Sequence, residues 1–143
     1  ALCDFAGRGG RVLVLATASW DWPELCDVKI EHEPRFSRVF PYGDLARTPL
    51  AGIEREWLIR WNGLPGTVAY GCLKGAAMAQ AEKVLWAREP KTTVMAAVAA
   101  RTGGGRVVFS QLDVQGRVDR ARPEYDPAAE RILCALLDGA PGG

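Results

Sequence analysis

Few side chains in this sequence have both the type and the setting to do chemistry, and two of those are nucleophiles. Ser19 follows the apolar run Val12-Leu13-Val14-Leu15-Ala16, and Cys72 sits in Tyr70-Gly71-Cys72-Leu73-Lys74-Gly75. A cysteine after a strand and between glycines imitates the sharp turn that exposes a catalytic nucleophile. Either residue needs a base to take its proton and an acid to orient that base. The only histidine, His32, stands between Glu31 and Glu33. That triplet looks like one piece of an acid–histidine pair, and a solvated acidic loop explains it equally well. Ser19 has no Gly-x-Ser-x-Gly context, and no histidine is placed to serve it. For Cys72 the plainer reading is favoured: Gly71 and Gly75 shape a loop and the thiol packs.

Other chemistries find little support. Cys3, Cys26, Cys72 and Cys134 lack Cys-x-x-Cys spacing, which argues against a zinc site. They read as unpaired thiols, with Cys3 and Cys134 on apolar helix faces. Gly103-Gly104-Gly105-Arg106 lacks the Gly-Lys-Ser/Thr ending of a phosphate loop and joins two strands, where a phosphate loop would open a helix. No cofactor is implied. Carboxylate pairs such as Asp119 with Glu124, or Asp21 with Glu24, are too common in loops to mark a glycosidase. Arg117, Arg120 and Arg122 beside them make a mixed-charge exposed loop.

The elements that would position a site follow from periodicity. Leu2, Phe5 and Ala6 repeat at helical spacing until Gly7, Gly9 and Gly10 stop the helix. A helix starting at Ala1 without a cap suggests a segment cut from a longer chain, or a short protein with an unusual start. Val12–Ala16 is apolar without alternation, the habit of a central parallel strand covered on both faces. Thr17–Pro23 is then the loop at its carboxyl end, where open α/β sheets gather ligands. Ser19, Trp20 and Asp21 are therefore binding candidates, against the simpler view that Trp20 and Trp22 cover the sheet edge while Asp21 caps a turn.

Residues 24–66 are broken by proline and glycine, with short elements around Arg35–Phe40 and Arg55–Trp61 and a turn at Pro49–Ile53. Thr67–Tyr70 reads as a strand, and residues 83–112 as a three-strand meander whose Gly103–Gly105 turn tolerates positive φ. The clearest element is last: Asp126 is an N-cap, Pro127 suits the first helical position, and Glu130 lies near the positive end of the dipole. Ala129, Ile132, Leu133, Leu136 and Leu137 form its apolar stripe.

Two stretches resemble a known family. Gly105-Arg106-Val107-Val108-Phe109-Ser110-Gln111-Leu112-Asp113, followed by Tyr125-Asp126-Pro127, resembles the end of the glutamine-amidotransferase-like domains carried by bacterial β-galactosidase-type glycoside hydrolases. Thr48-Pro49-Leu50-Ala51-Gly52-Ile53, with Leu58, Arg60 and Trp61 after it, is similar to the same domains. The resemblance implies a flavodoxin-like three-layer α/β sandwich, here without its first β-α-β portion, spanning residues 1–143 as one domain. In catalytic relatives the end of the second strand supplies a histidine and an acid, and here Gln111 and Asp113 stand in that region. An amide does not titrate usefully, so Gln111 is no general base. The resemblance thus implies a non-catalytic accessory domain that packs against other domains of a carbohydrate-active enzyme or mediates oligomer contacts. Gln111 and Asp113 join Ser19, Trp20 and Asp21 as ligand-binding candidates.

The totals fit. The chain has 143 residues, 48% hydrophobic and 24% charged, with net charge +1. That is one domain's worth of core, with no obligatory nucleic-acid or anionic-membrane partner. No apolar run approaches the roughly 20 residues that cross a bilayer. Five tryptophans offer faces for sugar stacking, although interface packing is the preferred reading. The rival functions are a small hydrolase with a pocket after Val12–Ala16 and a carbohydrate-binding module built on the tryptophans. A short chain with an apolar strand to cover is expected to self-associate, with some of Trp20, Trp22 and Trp57 at the contact.

Overall fold

In the computed structural model the described residues are 2–15, 20–22, 28–36, 38–62, 68–75, 79, 81–87, 92–98 and 104–138. Helices α1 (Leu2–Gly7), α2 (Arg55–Asn62) and α3 (Pro127–Asp138) accompany eight strands. These are β1 (Arg11–Val14), β2 (Trp20–Trp22), β3 (Val28–Phe36), β4 (Val39–Pro41), β5 (Ala69–Lys74), β6 (Glu82–Ala87), β7 (Thr92–Val98) and β8 (Arg106–Ser110). One sheet has the order β1-β8-β7-β6-β4 and the other β2-β3-β5. The chain is thus mixed α/β, with β1–β8 parallel and every other described pair antiparallel.

The expected meander is present: β6 pairs with β7 and β7 with β8, antiparallel throughout. Val12 and Val107 are register partners, so the two apolar runs do share a sheet. Burial on both faces holds for β8, where Val107, Val108 and Phe109 are all buried; β1 is covered less, with Val14 buried and Leu13 and Leu15 partly buried against the main cluster. The central position expected of Val12–Ala16 is corrected: among the described strands β1 pairs only with β8 and lies at the sheet edge. An apolar run reports cover over the faces of a strand, and carries no information about pairing at its sides.

Two further expectations give way. Thr17–Pro23 was expected as a loop, yet Trp20–Trp22 is strand β2, paired with Val28–Ile30. The region 24–66 holds a nine-residue strand, β3, in addition to its short elements. His32 therefore stands in a strand, opposite Gly71 of β5, and outside any acidic loop. Charges and a proline interrupt the alternation in Val28–Phe36, so pairing with β2 and β5 outweighs weak local propensity.

The main cluster lies where α2 and α3 meet the large sheet. Leu58 and Trp61 of α2, Ile132 and Leu136 of α3, and Val39, Val84, Leu85 and Val108 of the sheet all belong to it. The turn before α2 locks in place through Thr48, whose Oγ1 donates to the Leu45 carbonyl (2.8 Å) and accepts from the Leu50 amide (3.1 Å). Gly52 then turns at φ +85° while the Ile53 amide donates to the Leu50 carbonyl, burying Leu50 and Ile53. Gly104 takes the positive φ expected of the glycine turn, at +100°. Gly105 has a different reason: a Cβ there would lie 1.8 Å from the Ala6 carbonyl oxygen. Only hydrogen fits where β8 starts against the end of α1.

Helix α3 begins as its sequence requires. The Asp126 carboxylate accepts from the Ala128 amide at 2.9 Å, and Ala128, Ala129, Ile132 and Leu136 are buried. Leu133 is half-buried, and Leu137 is 61% exposed and leaves the stripe.

Candidate functional site

The segment leaving β8 gathers most of the buried polar groups. Ser110, Gln111 and Asp126 are all buried. An antiparallel bridge from Leu112 to Ala69 ties this segment to the start of β5 and so joins the two sheets. The Tyr70 amide donates to the Gln111 carbonyl (3.0 Å) and the Asp113 amide to the Val68 carbonyl (2.9 Å). Ser110 Oγ accepts from the Leu112 amide at 3.3 Å, which turns the chain directly after the strand.

Asp113 then faces two groups. Its Oδ2 accepts from the Tyr70 hydroxyl (3.2 Å) and from Arg117 Nε (3.3 Å), with the Asp113 and Arg117 side chains 17% and 12% exposed. The same guanidinium lies 3.9 Å from Asp126 Oδ2. One arginine thus balances two carboxylates, one at the end of β8 and one at the cap of α3. Gln111 is fully buried and its Nε2 reaches only the Ser110 carbonyl, at 3.4 Å. Among the described residues its Oε1 has no hydrogen-bond partner. Neither Gln111 nor Asp113 is presented to an open cleft as an acid–base pair would be.

The other binding candidates lie elsewhere. Ser19 is outside the described residues. Trp20 and Asp21 are in β2, two strands from β5 and in register with the Leu73–Lys74 end through Ile30 and Lys29. Gln111 and Asp113 meet β5 at its opposite end, near Val68 and Tyr70. The five candidates are therefore not one cluster in the described structure. Cys72 is fully buried within β5, so the chain at that thiol is a strand interior with no elbow. Among the described residues Cys134 is a free, exposed thiol; Cys26 is outside the described residues. Among the described residues no group of three His, Cys, Asp or Glu could hold a metal ion, and no helix is long and apolar enough to cross a membrane.

A second polar cluster was not visible in sequence. Arg120 donates to Glu130 from Nε (3.2 Å) and from one terminal nitrogen (2.8 and 3.1 Å), and the Tyr125 hydroxyl donates to the same carboxylate. The Tyr125 hydrogen bond, then the one from Arg120, holds Glu130 below the usual glutamate range. Glu130 in turn raises Tyr125 and Arg120, chiefly by accepting their hydrogen bonds. Arg120 and Glu130 are ten residues apart, a spacing that no local rule couples. The expected mixed-charge loop is represented by Arg122 and Asp119, exposed and 3.3 Å apart.

These groups rim an open groove of about 590 Å³ between the Gly52 turn, Trp57 of α2 and one face of α3. Trp57 has the guanidinium carbons of Arg131 and Arg60 at 5.1 and 5.9 Å from its ring centroid. Trp61 is fully buried in the core. Trp86 donates to the Pro41 carbonyl at 3.0 Å and packs against Phe40. Of the described tryptophan side chains, then, one is core, one is pinned to β4 and one borders the groove.

Compared with protein-family models, curated proteins and solved structures, the chain matches none.

Proposed function

We propose that this chain is a non-catalytic interaction domain of a carbohydrate-active enzyme, built as a partial flavodoxin-like, glutamine-amidotransferase-like unit. Its partners are the other domains of that enzyme or a second copy of itself. The observation that carries the reading is the closed end of β8. Gln111 is wholly buried and Asp113 is committed to Arg117 and Tyr70, so the place where related catalytic domains keep their histidine and acid is filled by structure. Burial of Cys72 inside β5 supports the same reading. The flavodoxin-like description draws on the parallel β1–β8 pair and on α3 packed over it.

Two experiments test the proposal. The coding sequence on either side of this segment should carry a glycoside-hydrolase catalytic domain in the same frame; flanks encoding an unrelated enzyme contradict it. The purified chain should show no glutamine hydrolysis, and hydrolysis that disappears in Cys72→Ala refutes the non-catalytic claim.

A further inference from the structure

A domain read as an interaction unit needs a surface and an occupant, and α3 carries a pattern that selects both. Arg131, Cys134, Ala135 and Asp138 line the groove from one face of the helix, at the spacing of three and four that stacks side chains in a row. Arg131 and Asp138 are exposed. Neither side chain forms an ion pair with a described residue, although the Arg11 guanidinium donates to the Asp138 carbonyl. Stacking on Trp57 at 5.1 Å orients the Arg131 guanidinium and leaves its hydrogen-bonding edge unused.

The order of these residues is symmetric. Arg131 lies three positions before Cys134, and Asp138 three positions after Ala135. A two-fold axis passing between Cys134 and Ala135 therefore brings the positive end of one helix against the negative end of an antiparallel copy. The small side chains at the centre permit close approach of the axes. A purely acidic partner would meet Asp138, and a purely basic one Arg131, with like charge. Only an occupant carrying both signs in reversed order satisfies the face, and this chain is one.

We infer that this chain pairs with a second copy of itself through α3, the two helices antiparallel about an axis beside Cys134 and Ala135, each Arg131 against the other copy's Asp138. The inference rests on the reading of the chain as an interaction domain and names the surface that performs it. Because the interface is isologous, every charge contact occurs twice. The Trp57 edge supplies the apolar part of the contact.

The test uses the whole chain. Arg131→Asp and Asp138→Arg each place like charges at both ends of the interface and should weaken the dimer by about tenfold or more. The double variant R131D/D138R restores the pairing in reversed sense and should recover most of the affinity. A cross-linking readout stands beside it: diamide, which takes up two electrons and two protons as two thiols become a disulfide, should give a covalent dimer through Cys134. Cys134→Ser should abolish that dimer. Far-UV circular dichroism and thermal midpoints establish that each variant is folded. A dimer indifferent to both charge reversals and to Cys134→Ser puts the contact elsewhere and overturns this inference while leaving the interaction-domain reading standing. A chain that stays monomeric overturns the inference and the self-pairing together.

Discussion

At the residue scale the decisive side chain is Gln111. A buried amide whose Oε1 accepts no hydrogen bond costs free energy in the folded state. Replacing it by an apolar residue of similar volume removes that cost. Gln111→Met should therefore leave the denaturation midpoint unchanged or raise it, and a loss of more than about 2 kcal/mol would mean that the amide has a partner worth that much. Glu130 gives a prediction in pH. Its folded-state pKa is depressed by the Tyr125 hydrogen bond and then by Arg120. A depressed carboxylate adds stability that is present above its unfolded value, about 4.3, and is lost as pH falls toward the folded value. Glu130→Gln should thus flatten the acid limb of the stability profile while changing little in its slope near neutrality. An acid limb of unchanged slope in that variant would remove Glu130 from the network.

Elements divide by where their information lies. Helix α3 was legible because its cap, first-turn proline and apolar stripe are all local, and the structure differs at Leu137 and at Cys134, both of them exposed rather than on the buried face. The expected outcome follows burial: Leu136→Ala should cost about 2–5 kcal/mol, and Leu137→Ala should stay within about 0.5 kcal/mol in chemical denaturation of the isolated chain. Equal losses at both positions would contradict the packing described. The meander and the shared sheet of β1 and β8 were legible for the same reason, as apolar runs between glycines. Strands β2 and β3 were not, because Trp-Asp-Trp and Val28–Phe36 become strands only through pairing with each other and with β5. The site behaved likewise. Gln111 and Asp113 were visible at the end of a strand, but Tyr70 is 43 residues from Asp113 and comes to it only through the bridge between the sheets. Gly105 also needed the fold to explain it, since its constraint is the backbone of α1 and lies outside its own turn.

On the scale of the whole molecule, two surfaces call for cover. The free edge of β1 presents unpaired backbone groups among the described residues, and the α2–α3 side presents Trp57 and Arg131. A domain with its polar end groups folded inward and with Trp57 and Arg131 bordering an open groove is suited to association, since such side chains dominate the energetics of interfaces. Sedimentation equilibrium of the purified chain across the micromolar range tests this claim most directly. The account predicts a species of twice the single-chain mass of 15.5 kDa, dissociating on dilution. A single species of 15.5 kDa at every concentration would contradict it.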